Sequence, residues 1–171
     1  MKLPLLTPTV HLHFIVQPFL KSRQAGAGIQ MENSAYATTQ CHFKSGQMKS
    51  EYSGKDAYGP PGCLYKHEQA HRDHDQSCCT KASLCYNKTS DDSCANAYER
   101  WFQANIDHNE CQAYTAEVSC LENSVKKSGW TSSQLSALTT RLGEAKDLKT
   151  YHCGRASGLT DCPFNSSGDI I

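Results

Sequence analysis

The amino-acid sequence predicts an α+β fold, mainly α-helical with a small β-sheet and stabilised by disulfides. Three observations carry that expectation. The chain has 171 residues and ten cysteines. Their number is even, they are scattered, and most lie outside C-x-x-C pairs, which reads as a disulfide framework from an oxidising compartment rather than as zinc ribbons. From Cys63 onward, candidate core residues return at intervals of three and four, the period of a helix. Residues 22–60 are instead rich in Gly, Ser, Thr, Asn and Gln, with a few aromatics. That composition suits short strands and loops.

The length suits one domain with a real core. Seventeen basic residues balance seventeen acidic ones. No basic stripe or arginine cluster appears, which argues against a nucleic-acid partner. Mean hydropathy is −0.60, and no apolar run reaches the ~18–20 residues that span a bilayer.

Residues 1–30 read as an N-terminal arm or a targeting segment, and residues 31–171 as a single domain. Met1-Lys2 before Leu3-Pro4-Leu5-Leu6, with small residues at Ala25-Gly26-Ala27, hints at a signal peptide. Pro4, Pro8, His11 and His13 interrupt the apolar stretch, while Val10, Leu12, Phe14 and Val16 alternate as in a strand. The strand or ordered arm is the preferred reading, in a domain exported by other means at the end of a longer secreted protein.

Tyr58-Gly59-Pro60-Pro61-Gly62 is a turn before a helix start. The helix is expected from about Cys63 to about Ser77. It contains His67-Glu68-Gln69-Ala70-His71, a match to H-E-x-x-H. Histidines four apart leave one face of a helix, so both imidazoles can hold one zinc ion, and Glu68 can act as general base toward water. Leu64, His67, His71, His74 and Cys78 share that stripe. His74 is expected to line the cleft. His42, beside Cys41, is read as structural.

Residues 87–93 form a polar loop that caps a helix from about Ser93 to Asn105, with Cys94, Ala97, Tyr98 and Trp101 as core. A further helix follows, capped by Asp107 or Asn109. Glu110, Ala113, Tyr114 and Glu117 share one face, beside an apolar face of Cys111, Val118, Leu121 and Val125. Such a helix can present Glu110 as the third protein ligand that a catalytic zinc site needs, and small Ala113 allows close approach. Asp73 and Glu117 are candidate orienting partners for a ligand histidine. Trp130-Thr131-Ser132 caps a last helix to about Lys149, with Leu135, Leu138, Leu142 and Ala145 as its stripe. The tail after Tyr151 reads as a cysteine-pinned loop that Cys153 and Cys162 could close. Cys78 and Cys79, being adjacent, should take different partners. Cys111 and Cys120 on one helix would stand roughly 13 Å apart, too far to bridge.

HExxH followed on a later helix by E-x-x-A-Y resembles the glutamate zincins, metallopeptidases with a His-His-Glu zinc site. The longer pattern, C-x-x-x-HExxH-x-D and then E-C-x-A-Y-x-x-E-x-x-C-L, is similar to cysteine-containing zincin-like domains at the ends of bacterial secreted and polymorphic toxins. The resemblance covers about residues 58–125. It implies a zincin-like catalytic domain over residues 31–171, with zinc on His67, His71 and Glu110 and Glu68 as catalytic base. It implies a protein or peptide substrate, and an immunity protein or inhibitor as partner. It also implies a substrate-binding edge strand, which must come from residues 10–50. Tyr114, one turn after Glu110, is the first candidate for the catalytic oxyanion donor, with His108, Tyr151 and His152 open. The metzincin extension is absent, since His74 and Ser77 stand where its glycine and last histidine belong.

A second pattern competes. Cys78-Cys79 and Cys85-Tyr86 have the spacing of the C-C-x-x-H-D-x-C-Y motif of secreted phospholipases A2, but its His-Asp pair falls on Ala82 and Ser83. Neither can do that chemistry. The alternative function is therefore a non-catalytic, disulfide-rich binding module.

Overall fold

The computed structural model describes residues 36–53 and 62–171. Its elements run β1 (Tyr36–His42), β2 (Gln47–Ser53), α1 (Cys63–Thr89), α2 (Asp92–Ala104), α3 (Ile106–Val125) and α4 (Ser132–Arg155). The fold is mainly helical, with one antiparallel two-stranded sheet and five disulfides. The segment 1–30, the alternating stretch at 10–16 and the turn at 58–61 lie outside the described residues.

α1 is the axis. Its 27 residues span about 40 Å at 1.5 Å per residue. It does not stop near Ser77 as expected but runs on to Thr89. No glycine or proline interrupts it, and Cys78, Cys79, Ala82 and Cys85 continue its buried face. It ends at Ser90, in the left-handed region with φ 53°.

The C-terminal half of α1 packs with Ala97, Tyr98, Trp101 and Phe102 of α2, Met48 of β2 and Phe164 of the tail. The hairpin β1–β2 lies on this helix. Gln76 receives the Met48 N–H at 3.0 Å and donates to the Gly46 carbonyl at 2.7 Å. Gly46 sits at φ +66°, and a Cβ there would stand 3.0 Å from Ser83 Cβ, so both turn and close approach call for glycine. A second core joins Cys63 to Tyr114, Val118 and Leu121 of α3 and Leu138 and Ala145 of α4.

A single residue, Asn105, separates α3 from α2, so neither Asp107 nor Asn109 caps it. Asn105 occupies the cap without a side-chain cap bond. Its side chain instead holds Trp101 and Thr160, tying the tail to the α2–α3 corner. α4 begins with a Thr131–Gln134 capping box and reaches Arg155, beyond the expected Lys149. Leu138 and Ala145 are buried, whereas Leu135 is exposed.

Cysteine pairing corrects one expectation. Cys153 lies on α4 and bonds Cys111 of α3, while Cys162 bonds Cys78 of α1, so the two do not close a tail loop. Helix continuation past Tyr151 turns Cys153 toward α3. The remaining bridges are Cys41–Cys79, Cys63–Cys120 and Cys85–Cys94. Cys78 and Cys79 do take different partners. Five disulfides fit an oxidising compartment. No helix among the described residues is long and apolar enough to cross a membrane.

Candidate metal centre

The site forms where α1 and α3 run antiparallel. Cys63 pairs with Cys120, His67 with Glu117 and Asp75 with Asn109, so one register joins the helices from end to end. Ala113, fully buried between them, lets them approach. His67 and His71 leave successive turns of α1 toward Glu110 of α3. All three are buried. His67 Nε2 lies 3.1 Å from His71 Nε2 and 3.5 Å from Glu110 Oε2, and His71 Nε2 lies 3.6 Å from Glu110 Oε1. Ligand atoms on zinc bonds of about 2.0–2.1 Å in a tetrahedron stand about 3.3–3.4 Å apart. The triangle therefore has the size of one face of such a site. Glu110 Oε2 is buried without a hydrogen bond. Two imidazole nitrogens and a carboxylate are a donor set that suits zinc, so this group could hold a metal ion.

The electrostatics follow from burial and crowding. Burial would lower the pKa of His67, but Glu110 and Glu117 outweigh it and raise the value to about 9. Burial lowers His71 to about 4, against the pull of Glu110. Burial would raise both Glu110 and Glu117, yet their histidine neighbours, and Arg141 at Glu117, hold both carboxylates below their usual range. Removed from water, two carboxylates facing two imidazoles favour a bound cation.

Around the triangle lies a supporting layer. His67 Nδ1 donates to Glu117 Oε2 at 3.1 Å, which leaves Nε2 directed at the ligand cluster. Arg141 grips Glu117 with two bonds, Nε to Oε1 at 2.7 Å and Nη2 to Oε2 at 3.0 Å. Tyr114 packs edge-on against the His67 ring, with centroids 4.5 Å apart, and stacks on His152 at 5.7 Å. Burial raises the pKa of its hydroxyl, and Arg141 opposes that. His152 donates from Nδ1 to Asp107 at 2.8 Å, and Arg155 holds the other oxygen at 3.0 Å. One turn past His71, Asp75 is fully buried and accepts from His74 and Asn109, both at 3.0 Å, beside Glu110.

Glu68 is buried, and its Oε2 accepts a 2.6 Å hydrogen bond from Thr39 of β1. Burial raises its pKa, opposed by His67 and Thr39.

Of the two candidate orienting carboxylates, Glu117 reaches His67, and Asp73 does not take part. Two residues past His71, Asp73 is turned about 200° around the helix and is exposed. His74 bonds Asp75 and lies near His108, their rings 5.5 Å apart, and neither belongs to the ligand cluster. Tyr151 is exposed. Sequence reasoning missed Arg141, Asp75, Asn109 and Thr39. Arg141 carries a signal in retrospect: it is the one charge on the stripe Leu138, Leu142, Ala145. Thr39 carries none, because strand-to-helix contacts leave no periodic trace. Ala82 and Ser83, at the place of the phospholipase pair, are buried in the packing of α1.

No protein family, no curated protein and no solved structure matches this chain in comparison with known proteins.

Proposed function

We propose that this chain is a zinc-dependent peptidase of zincin-like type, acting in an oxidising compartment and hydrolysing protein or peptide substrates. The observation that carries this reading is the buried His67–His71–Glu110 triangle, of zinc-site size, with the Glu68 carboxylate on the same helix turn. Zinc, once bound there, supplies Lewis acidity toward a substrate carbonyl and toward water. Glu68 takes the proton from the attacking water on its carboxylate and passes it to the leaving amine. Glu117, held by Arg141, keeps His67 in the tautomer that leaves Nε2 free to bind.

Of the four candidates for donation to the developing oxyanion, Tyr114 and His152 are the two whose rings pack against the candidate ligand His67, Tyr114 directly and His152 through Tyr114. We assign that role to His152. Asp107 anchors its Nδ1, which leaves Nε2 for substrate, and the ring lies near both Glu110 and His71. Tyr114, packed between the rings of His67 and His152, is then the residue that holds both in place. In the resemblance to bacterial toxin domains the peptidase is an effector, with an immunity protein or inhibitor as its natural partner.

The test is hydrolysis of denatured casein by zinc-loaded protein. Glu68→Gln should keep zinc and lose activity, because an amide cannot accept the proton. His152→Ala should lower kcat by about 10²–10³, and Tyr114→Phe, which keeps the ring, by far less. Full activity in Glu68→Gln would contradict the mechanism.

A further inference from the structure

Glu68 does not stand alone against the sheet. Thr39 Oγ1 donates to its Oε2 at 2.6 Å, and both side chains are buried. Having spent its one proton there, the Thr39 oxygen can only accept. Its 2.7 Å contact with Ser50 Oγ is therefore a hydrogen bond donated by Ser50. Thr39 and Ser50 are direct partners in the register of β1 and β2. A one-way hydroxyl chain thus runs Ser50 to Thr39 to Glu68, across the hairpin and onto the helix of the candidate metal ligands.

The hairpin has little freedom to withdraw. Cys41, two residues on from Thr39, is bonded to Cys79 of α1. Met48 and Gly46 are tied to Gln76. Thr39 is thereby presented to Glu68 by a clamped strand rather than by a loose loop.

We propose that Thr39 is a positioning residue for Glu68, and that Ser50 fixes the Thr39 hydroxyl in turn. Holding Oε2 leaves Oε1 as the oxygen that takes the proton, in one rotamer rather than several. Proton abstraction demands hydrogen-bond reach and alignment, and small misplacements are costly. This rests on the peptidase reading above. A buried hydroxyl with a merely structural role would need a partner too, so the test must separate stability from positioning.

Thr39→Val removes the hydroxyl at nearly constant shape, and Thr39→Ser keeps it. Disulfide-intact protein, loaded with zinc, is assayed on denatured casein. Thr39→Val should keep one zinc per chain and an unchanged KM while kcat falls about 10–100-fold, and Thr39→Ser should restore kcat to within about three-fold, the size of effect expected for mispositioned acid–base chemistry. Ser50→Ala should fall between them. Independently of zinc and substrate, urea unfolding of metal-free protein reads the contact itself. The midpoint shift caused by Thr39→Val should shrink by at least half in a Glu68→Ala background. Equal shifts in both backgrounds, or full kcat in Thr39→Val, would overturn the positioning role alone. A wild type that binds zinc but cleaves nothing would overturn the peptidase reading and this role with it. A wild type that binds no zinc would do the same.

Discussion

Arg141 makes two bonds to Glu117 and, with His67, holds that carboxylate below its usual range and aimed at His67. The Glu117 carboxylate takes the His67 Nδ1 hydrogen and leaves Nε2 toward His71 and Glu110. Arg141→Gln should therefore weaken zinc binding about ten-fold, at the low end for a residue that supports a ligand. Competition against a chromophoric chelator measures this, and unchanged affinity would place the orienting force elsewhere. The three residues that form the buried cluster were legible in the sequence, because histidines four apart and a glutamate on the next suitable helix face are local patterns. Arg141 and Thr39 were not. Each acts through a partner 24 or 29 residues away in the chain, and one sequence does not print such contacts.

At the scale of elements, helix existence was easier to read than helix ends. Four helices were expected, and four form among the described residues. α1 overran its expected end near Ser77, because Cys78 and Cys79 face disulfide partners from within the helix and carry its buried face onward. α3 began early because Asn105 serves both the end of α2 and the start of α3. Short strands were expected within residues 22–60, and both strands fall there, but their register depends on the hairpin turn and on its seat against α1. Gly46 is the residue at that seat, with φ +66° and Ser83 behind it. Gly46→Ala should destabilise the protein by about 1–2 kcal/mol, from left-handed strain plus crowding. Chemical denaturation tests this, and a neutral effect would mean that the turn reshapes freely.

For the whole molecule, two cores sit at either end of α1 and a polar seam lies between them. Buried carboxylates and imidazoles in that seam cannot stabilise the fold as apolar packing would, so their assembly is an argument for bound charge. His67 makes the argument measurable. Its metal-free pKa is raised from 6.5 to about 9. A raised value contributes stability that is complete below 6.5 and is lost as pH climbs through about 9. Zinc needs Nε2 unprotonated, so its affinity rises over the same window. The melting temperatures of zinc-loaded and metal-free protein should therefore diverge from pH 6.5 to 9, and a gap that narrows would contradict the account. His71, at about 4, stays neutral throughout that window.

The central claim, that α1 and α3 build a zinc site, is tested most directly by metal content. Disulfide-intact wild type and His71→Ala are purified without chelators, offered zinc, desalted and analysed for elements. The account expects about one zinc per chain in wild type and none in the variant. Zinc absent from both, or equal in both, would contradict it and leave the alternative of a disulfide-rich binding module.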